Sequence, residues 1–306
     1  MITAIFNKSK PINLVLASLM LVFGFLMVQF QTIEALSVST FSYKSGLILL
    51  TVLSALVVDF IVKKNALSGQ NSFVVFFFAM FFFYFWGSNN DFRLILANLF
   101  ILLALRKIIS LKSQIAITQK IFDAALWICI ASLFHFWSIL FMLVLYIGIM
   151  LYVSNYYKNW LVPLVGALVV FMIVSGYELV VNDRFFNFSN TLISTDYTLL
   201  NSSFNWITGV FFATILTVSL IFLPSRIRLK LQKNKLSYLI LIVALIVGIV
   251  LFLISQNKSS AMLIFIYFPL AILFTSFFEK ITKPLLQSIL LYSMFVVSVI
   301  FCFIAV

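Results

Sequence analysis

The sequence predicts an all-α polytopic membrane protein, a transmembrane helical bundle of about 11 spans. Of its 306 residues, 64% are apolar and only 9% are charged, and the mean hydropathy is +1.20. Soluble domains carry roughly 25% charged residues, so this chain has too few to cover a water-exposed surface. The third observation is that its apolar runs alternate with short basic or polar segments, which is typical of helices that cross a bilayer repeatedly.

Each predicted span is an apolar run, compared with the ~20 residues that cross the hydrocarbon core. The runs are 12–30, 45–62, 73–86, 92–105, 121–134, 136–153, 160–177, 206–223, 236–254, 261–278 and 285–306. Three of them, 73–86, 92–105 and 121–134, are short, and a short span must thin the bilayer, gain a flanking turn or end part-way across. Pro269 lies inside the tenth run and predicts a kink there. We expect one integral membrane domain over residues 1–306.

The basic residues orient this bundle, because Lys and Arg are concentrated in cytoplasmic loops. With the N-terminus in the cytoplasm and the C-terminus at the outer face, most of them fall inside. The exceptions are Lys44, Arg93, Arg184 and Lys258. Orientation therefore explains the net charge of +12, and we do not expect nucleic acid as a partner. The prediction is a multi-pass protein of a bacterial inner membrane, with membrane lipids as its partners.

The acidic residues divide between the two sides. Near the inner face, Asp59, Asp123 and Glu279 are expected to pair locally with Lys63, Lys120 and Lys280. The remaining acids fall at the outer face. Ionisable groups are nearly absent from the centres of the spans, which disfavours ion-coupled transport. We therefore expect any chemistry at the outer face.

Two outer carboxylates are the candidate catalytic residues. Glu34 follows the first span and Asp91 precedes the fourth. A carboxylate in such a loop acts as a general base or as a metal ligand, so a divalent cation is a candidate cofactor, although no metal-ligand set is identified. The structural alternative for Glu34 is a solvated loop acid, and for Asp91 it is a helix N-cap formed by Asn90 or Asp91.

Four other residues are candidates for substrate binding. Arg93 and Arg184 have the planar guanidinium that holds phosphate, and Asp183 is a candidate for a polar head group. His135, between aromatic residues at the outer interface, is a candidate for proton transfer. The alternatives are a snorkelling side chain for Arg93, an exposed loop pair for Asp183 and Arg184, and a structural hydrogen-bonding role for His135.

Two stretches resemble an uncharacterised family of bacteroidetal inner-membrane proteins. They are IFNKSKPIN at residues 5–13 and FDAALWICIASLFHFW at residues 122–137. The resemblance covers most of the chain and implies a polytopic membrane protein without an established activity.

The general plan is also similar to membrane glycosyltransferases of the C-fold type, which use lipid-linked sugar donors. Those enzymes have an acidic first outer loop, which Glu34 matches, and later polar outer loops, which Asp91 and Arg93 match. Many members carry two acids in the first loop, whereas this chain has one. The similarity implies cell-envelope assembly at the outer face with a polyprenyl-phosphate-linked sugar. A non-catalytic membrane subunit or scaffold, and a lipid or small-molecule permease with its pathway at Pro269, are the alternatives.

Overall fold

The computed structural model consists of α-helices joined by short connections. It describes residues 5–31, 38–86, 91–154, 156–183, 203–228, 232–255 and 260–304. The helices are α1 (Pro11–Gln31), α2 (Val38–Asn65), α3 (Phe73–Trp86), α4 (Phe92–Ser110), α5 (Ile117–Phe134), α6 (Phe141–Val153), α7 (Lys158–Asn182), α8 (Ser203–Arg228), α9 (Gln232–Ile254), α10 (Ile264–Phe278) and α11 (Pro284–Ile304). Short 3-10 helices lie at Leu111–Ser113, Phe136–Leu140 and Ser260–Leu263.

These helices confirm the predicted all-α, polytopic bundle, with one α-helix for each predicted span. Within the described ranges, 9 helices are long and apolar enough to cross a membrane, and the apolar stretches Phe73–Trp86 and Trp206–Phe222 are shorter. Two of the three short predicted spans are longer in the structure, because α4 continues to Ser110 and α5 begins at Ile117. Only α3 keeps the predicted short length.

The chain folds into two compact units. Unit 1 comprises Met1–Ile95, Tyr197–Leu231 and Lys258–Val306, and so contains α1, α2, α3, the first turn of α4, α8, α10 and α11. Unit 2 comprises Leu96–Asp196 and Gln232–Asn257, and so contains the rest of α4 with α5, α6, α7 and α9. A single domain over the whole chain stays a prediction.

Helix α3 is the centre of unit 1. All 14 of its residues are buried, and it packs against α1, α2, α10 and α11. At 1.5 Å per residue it is about 21 Å long, shorter than the ~30 Å hydrocarbon core. Because protein rather than lipid surrounds it, its length does not have to match the bilayer.

Aromatic side chains fill the contact between α3 and α10. The Phe77 ring lies 4.8 Å from that of Phe274 and 5.4 Å from that of Phe278, both edge to face. Phe73 meets Phe278 in the same way at 4.8 Å. Edge-to-face pairs place the positive ring edge against the negative ring face. The run of phenylalanines in α3 is therefore used for packing inside the protein. Pro269 is buried within α10, which continues as an α-helix on both sides of it.

Unit 2 is held by a close contact between α5 and α7. A Cβ at Gly166 would lie 2.9 Å from the Cβ of Ala125, so only glycine allows this approach of the two helices. Helix α4 packs on α5 through Phe100, whose ring stacks on Trp127 at 5.6 Å and on Phe134 at 5.8 Å.

The predicted local ion pairs are partly correct. Lys63 Nζ lies 2.7 Å from Asp59 Oδ2, which confirms the first pair. The pairing of Asp123 with Lys120 is wrong, because Asp123 forms its ion pair with Lys107 of α4. Lys120 instead donates hydrogen bonds to the Ser110 carbonyl at 2.8 Å and the Ser113 hydroxyl at 2.6 Å. Packing of α4 on α5 brings Lys107 to the carboxylate, which spacing along one helix could not reveal.

Truncating a ring at the centre of unit 1 should destabilise the protein strongly. We expect Phe77→Ala to lower the free energy of unfolding by about 3–5 kcal/mol, because it leaves a cavity between α3 and α10. The control is Phe171→Ala on α7, where the side chain is 57% exposed and the loss should stay within about 0.5 kcal/mol. Unfolding of both variants in detergent, followed by circular dichroism, measures the difference. An equal loss of unfolding free energy in the two variants would contradict the enclosed position of α3.

Candidate functional site

An apolar groove lies on unit 1. Its volume is about 370 Å³, within the ~300–1,000 Å³ of typical ligand sites. The lining consists only of apolar side chains from the N-terminal segment, α1, α3 and α11: Ile5, Phe6, Leu16, Leu19, Met20, Phe23, Phe76 and Phe295. The α1 side chains recur at the spacing of one helix face. The groove therefore offers a hydrocarbon surface without hydrogen-bonding side chains.

The groove lies nearer the beginning of α1 than its end. Helix α1 begins at Pro11, and its groove residues extend from Leu16 to Phe23. At 1.5 Å per residue these lie about 8–18 Å from the helix start. Half of the ~30 Å core is about 15 Å. For a span that enters the hydrocarbon core at Pro11, the groove would therefore lie mainly in the half of the core next to the beginning of α1.

A buried amide holds the segment that forms one wall of the groove. Asn13 is fully buried, and its Nδ2 lies 2.9 Å from the Ile5 carbonyl, within reach of the Lys8 carbonyl and 3.2 Å from the Ser72 hydroxyl. The Ser72 N–H also donates to the Phe6 carbonyl at 2.9 Å. The Phe6 ring packs edge to face on Phe76 at 4.9 Å. Residues 5–8 are therefore fixed against α1 and the start of α3.

A carboxylate fixes the loop that contacts this segment. Glu279, directly after α10, accepts hydrogen bonds through Oε1 from the Gly69 N–H at 2.7 Å and from Asn71 Nδ2 at 2.8 Å. The predicted pairing of Glu279 with Lys280 is therefore replaced by a contact with a distant loop. Lys280 donates instead to the Phe222 carbonyl at 2.9 Å. Glu279 thus connects the end of α10 to the beginning of α3.

Several basic residues lie at this same end of unit 1, which we call the basic end. Lys8 and Lys10 precede α1, Lys63 and Lys64 are in the last turn of α2, and Lys280 follows α10. The contacts of Asn13 and Glu279 join the segments next to these residues. The structure therefore brings basic residues from three parts of the sequence to one end of the unit.

The predicted outer-face residues are only partly within the described chain. Glu34 and Arg184 lie outside the described residues, so their roles stay predictions. Asp91 is exposed, and its Oδ1 accepts a hydrogen bond from the Arg93 N–H at 2.9 Å. Asp91 is thus the N-cap of α4. This is the structural role that was given as the alternative to catalysis. The Arg93 side chain is exposed, and its role in phosphate binding stays a prediction.

His135 and Asp183 are both at helix ends in unit 2. The His135 N–H donates to the Ala131 carbonyl at 3.0 Å, and its own carbonyl accepts from the Ser138 N–H at 2.9 Å. Asp183 ends α7 in the left-handed conformation with φ of 51°, which Asp tolerates better than most residues. The other two candidates within the described chain, Asp91 and Arg93, belong to unit 1. The substrate-binding roles of His135 and Asp183 stay predictions.

The predicted metal site, like these substrate-binding roles, stays a prediction. Within the part of the chain that the structure describes, no group of three or more His, Cys, Asp or Glu side chains could hold a metal ion. Glu34, the first candidate ligand, lies outside that part. The divalent cation therefore remains a prediction from sequence.

Sequence reasoning missed the groove and the contacts that form it. The available signals were Asn13, a polar residue near the start of an apolar run, and Glu279, an acid directly after another run. Their partners, Ser72 and Asn71, are 59 and 208 residues away in the sequence. Local spacing gives no information on such distant partners.

The fold defines a class of protein: a polytopic α-helical membrane protein. The chain belongs to DUF6427, a family of unknown function that matches residues 7–306. The expectation of an uncharacterised family is therefore confirmed, whereas its bacteroidetal inner-membrane origin and the similarity to C-fold glycosyltransferases stay predictions. The comparisons find no matching curated protein and no matching solved structure.

Removing the Glu279 carboxylate should loosen the basic end of unit 1. We expect Glu279→Ala to lower the free energy of unfolding by about 1–2 kcal/mol, because Gly69 and Asn71 lose their acceptor. Glu279→Gln keeps one acceptor oxygen and should lose less. The control is Glu178→Ala, since Glu178 accepts from Asn182 of the same helix, α7, at an exposed site.

Chemical unfolding in detergent measures the free energy of unfolding of these variants. An added Ser9→Cys reports on the N-terminal segment, because the Ser9 N–H donates to the Gln70 carbonyl at 3.1 Å in the loop that Glu279 holds. Thiol labelling at residue 9 should be faster with Glu279→Ala than with Glu178→Ala. Equal stability and labelling in the two variants would contradict the proposed link between Glu279 and the segment.

Proposed function

We propose that this chain is a lipid-handling protein of a bacterial inner membrane that holds a hydrocarbon chain in the groove of unit 1. The observation that carries the proposal is the composition of the groove, whose eight lining residues are all apolar. Leu19 and Phe23, at its edge, are 58% and 41% exposed, whereas Phe76 and Phe6 in its wall are 1% and 3% exposed. A chain could therefore enter between exposed α1 side chains and contact buried rings.

The membrane itself supports a hydrocarbon chain as the occupant. In a bilayer-spanning α1 the groove would face the hydrocarbon layer, where acyl chains are the surrounding molecules. Polar ligands would lose hydrogen bonds to water without gaining any from these side chains. The lining does not include Pro269, so the groove supports lipid binding at a different place from the pathway predicted for a permease.

Photolabelling tests whether a lipid chain occupies the groove. The purified chain is given a limiting amount of phosphatidylcholine with a diazirine in the middle of one acyl chain, is irradiated, and is analysed by peptide mass spectrometry. We expect adducts on Phe76. The internal control is Phe81, which is also in α3 and is 0% exposed but does not line the groove.

A bulky residue at the groove edge should reduce this labelling. We expect Leu19→Trp to remove most adducts on Phe76, because the larger ring fills the groove. Leu164→Trp on α7 is the matched control, since Leu164 is 59% exposed and Leu19 is 58% exposed. Adducts confined to exposed α1 residues, or equal labelling of Phe76 in the two variants, would contradict lipid binding in the groove.

The glycosyltransferase hypothesis is the second candidate, and the exposed Arg93 beside Asp91 favours it. In that function Glu34 and Asp91 would form the catalytic pair. Arg93, Arg184, Asp183 and His135 would each keep the substrate-binding role predicted from the sequence.

Two substitutions of Asp91 distinguish its role as the N-cap of α4 from a catalytic role. Asp91→Asn keeps a side-chain oxygen for the Arg93 N–H, so we expect wild-type stability, whereas Asp91→Ala should cost about 1 kcal/mol. If Asp91 is catalytic, the Asn variant should fail to replace the native gene in cells although it folds normally. Full complementation by Asp91→Asn would contradict the catalytic role, while leaving the lipid groove untouched.

A further inference from the structure

Two lysines immediately precede the helix that supplies half of the groove lining. Lys8 and Lys10 are exposed, and their backbone is held by Asn13, because the Lys8 and Lys10 carbonyls accept from Asn13 Nδ2 and the Asn13 N–H. The same Asn13 amide holds the carbonyl of Ile5, a groove residue. The lysines and the wall of the groove therefore belong to one fixed segment.

Other lysines at the basic end already have protein contacts. Lys63 pairs with Asp59, Lys64 lies over the Phe60 ring at 5.2 Å, and Lys280 bonds to the Phe222 carbonyl. Lys8 and Lys10, by contrast, form no ion pair with any residue that the structure describes. Their ammonium groups are available to a ligand at the membrane surface.

The hydrocarbon chain alone gives the groove little power to select a lipid. Lipid tails are as apolar as leucine side chains, so a chain that leaves the bilayer for the groove gains packing but no hydrophobic free energy. Selection must therefore come from the head group. The groove residues of α1 begin at Leu16, about 9 Å along the helix from Lys10, which puts the lysines on the head-group side of the groove.

We propose that unit 1 selects an anionic phospholipid, with one acyl chain in the groove and the phosphate of the head group at Lys8 and Lys10. This inference rests on the proposed lipid-handling function and adds the class of lipid. Basic residues near a membrane surface attract anionic head groups over zwitterionic ones. The lipid comes from the leaflet on the side of the lysines, because the groove lies in that half of the hydrocarbon core.

Competition between two photoreactive phospholipids tests the head-group preference. The purified full chain is labelled with phosphatidylglycerol and with phosphatidylcholine that carry the same acyl diazirine, and the adducts on Phe76 are compared. We expect phosphatidylglycerol to give the higher yield, by about fivefold for each contributing lysine. The preference should decrease as salt is raised, because salt screens exposed charges.

Neutral substitutions identify the lysines responsible. The double variant Lys8→Gln and Lys10→Gln should reduce the preference to about equal yields while phosphatidylcholine still labels Phe76, which shows that the groove is intact. The matched control is Lys63→Gln with Lys64→Gln, which removes the same charge from the basic end and should keep the preference.

The outcomes distinguish a failure of the head-group assignment from a failure of the lipid-handling function. Equal labelling by both lipids in the unmodified chain, or a preference that survives Lys8→Gln and Lys10→Gln, would overturn the head-group assignment and leave lipid binding in place. Absence of adducts on Phe76 with either lipid would overturn the lipid-handling function itself.

Discussion

The enclosure of α3 is the constraint on which unit 1 depends. A helix of 14 residues cannot cross the hydrocarbon core alone, and backbone groups at its ends cannot be left in lipid without partners. Protein supplies those partners at its beginning. The Phe73 N–H donates to Asn71 Oδ1 at 3.4 Å and the Phe76 N–H to the Ser72 carbonyl at 3.2 Å. The loop before α3 must therefore be held in place, and Glu279 holds it.

The groove follows from the same arrangement. The loop that begins α3 also binds the segment before α1, through Ser72 and Phe6, and this segment covers the first turns of α3. Between this segment, α1 and α11 lies a groove lined by apolar side chains, and the buried Phe76 ring is part of its wall. When α1 spans a bilayer, a space in this position would meet hydrocarbon rather than water. Lipid handling is therefore the function for which the described geometry gives the most support.

Much of the fold could be predicted from the sequence, because the signals for membrane helices are local. Apolar runs predicted the eleven helices, and their basic flanks are the basis for the predicted orientation. The ends of α4 and α5 were predicted less well, since the predicted spans stopped at residue 105 and began at residue 121, whereas the helices continue through Arg106, Lys107 and Lys120. The structure shows the reason: Lys107 pairs with Asp123 and Lys120 bonds to Ser110 and Ser113, which allows these cations within helices.

The candidate site was much less predictable. The N-cap role of Asp91 could be predicted as an alternative to catalysis, because capping depends only on the next few residues. The groove depends on contacts between residues far apart in the sequence, such as Asn13 with Ser72 and Asn71 with Glu279. The phenylalanines of α3 gave no indication of which buried ring would line the groove. Only tertiary packing distinguishes Phe76 from Phe81.

An experimental structure of the full chain in a lipid bilayer disc tests lipid occupancy most directly. We expect elongated density along Leu16, Met20 and Phe76, continuous with a head group beside Lys8 and Lys10. A groove closed by its own side chains, with no density between α1 and Phe76, would contradict the account.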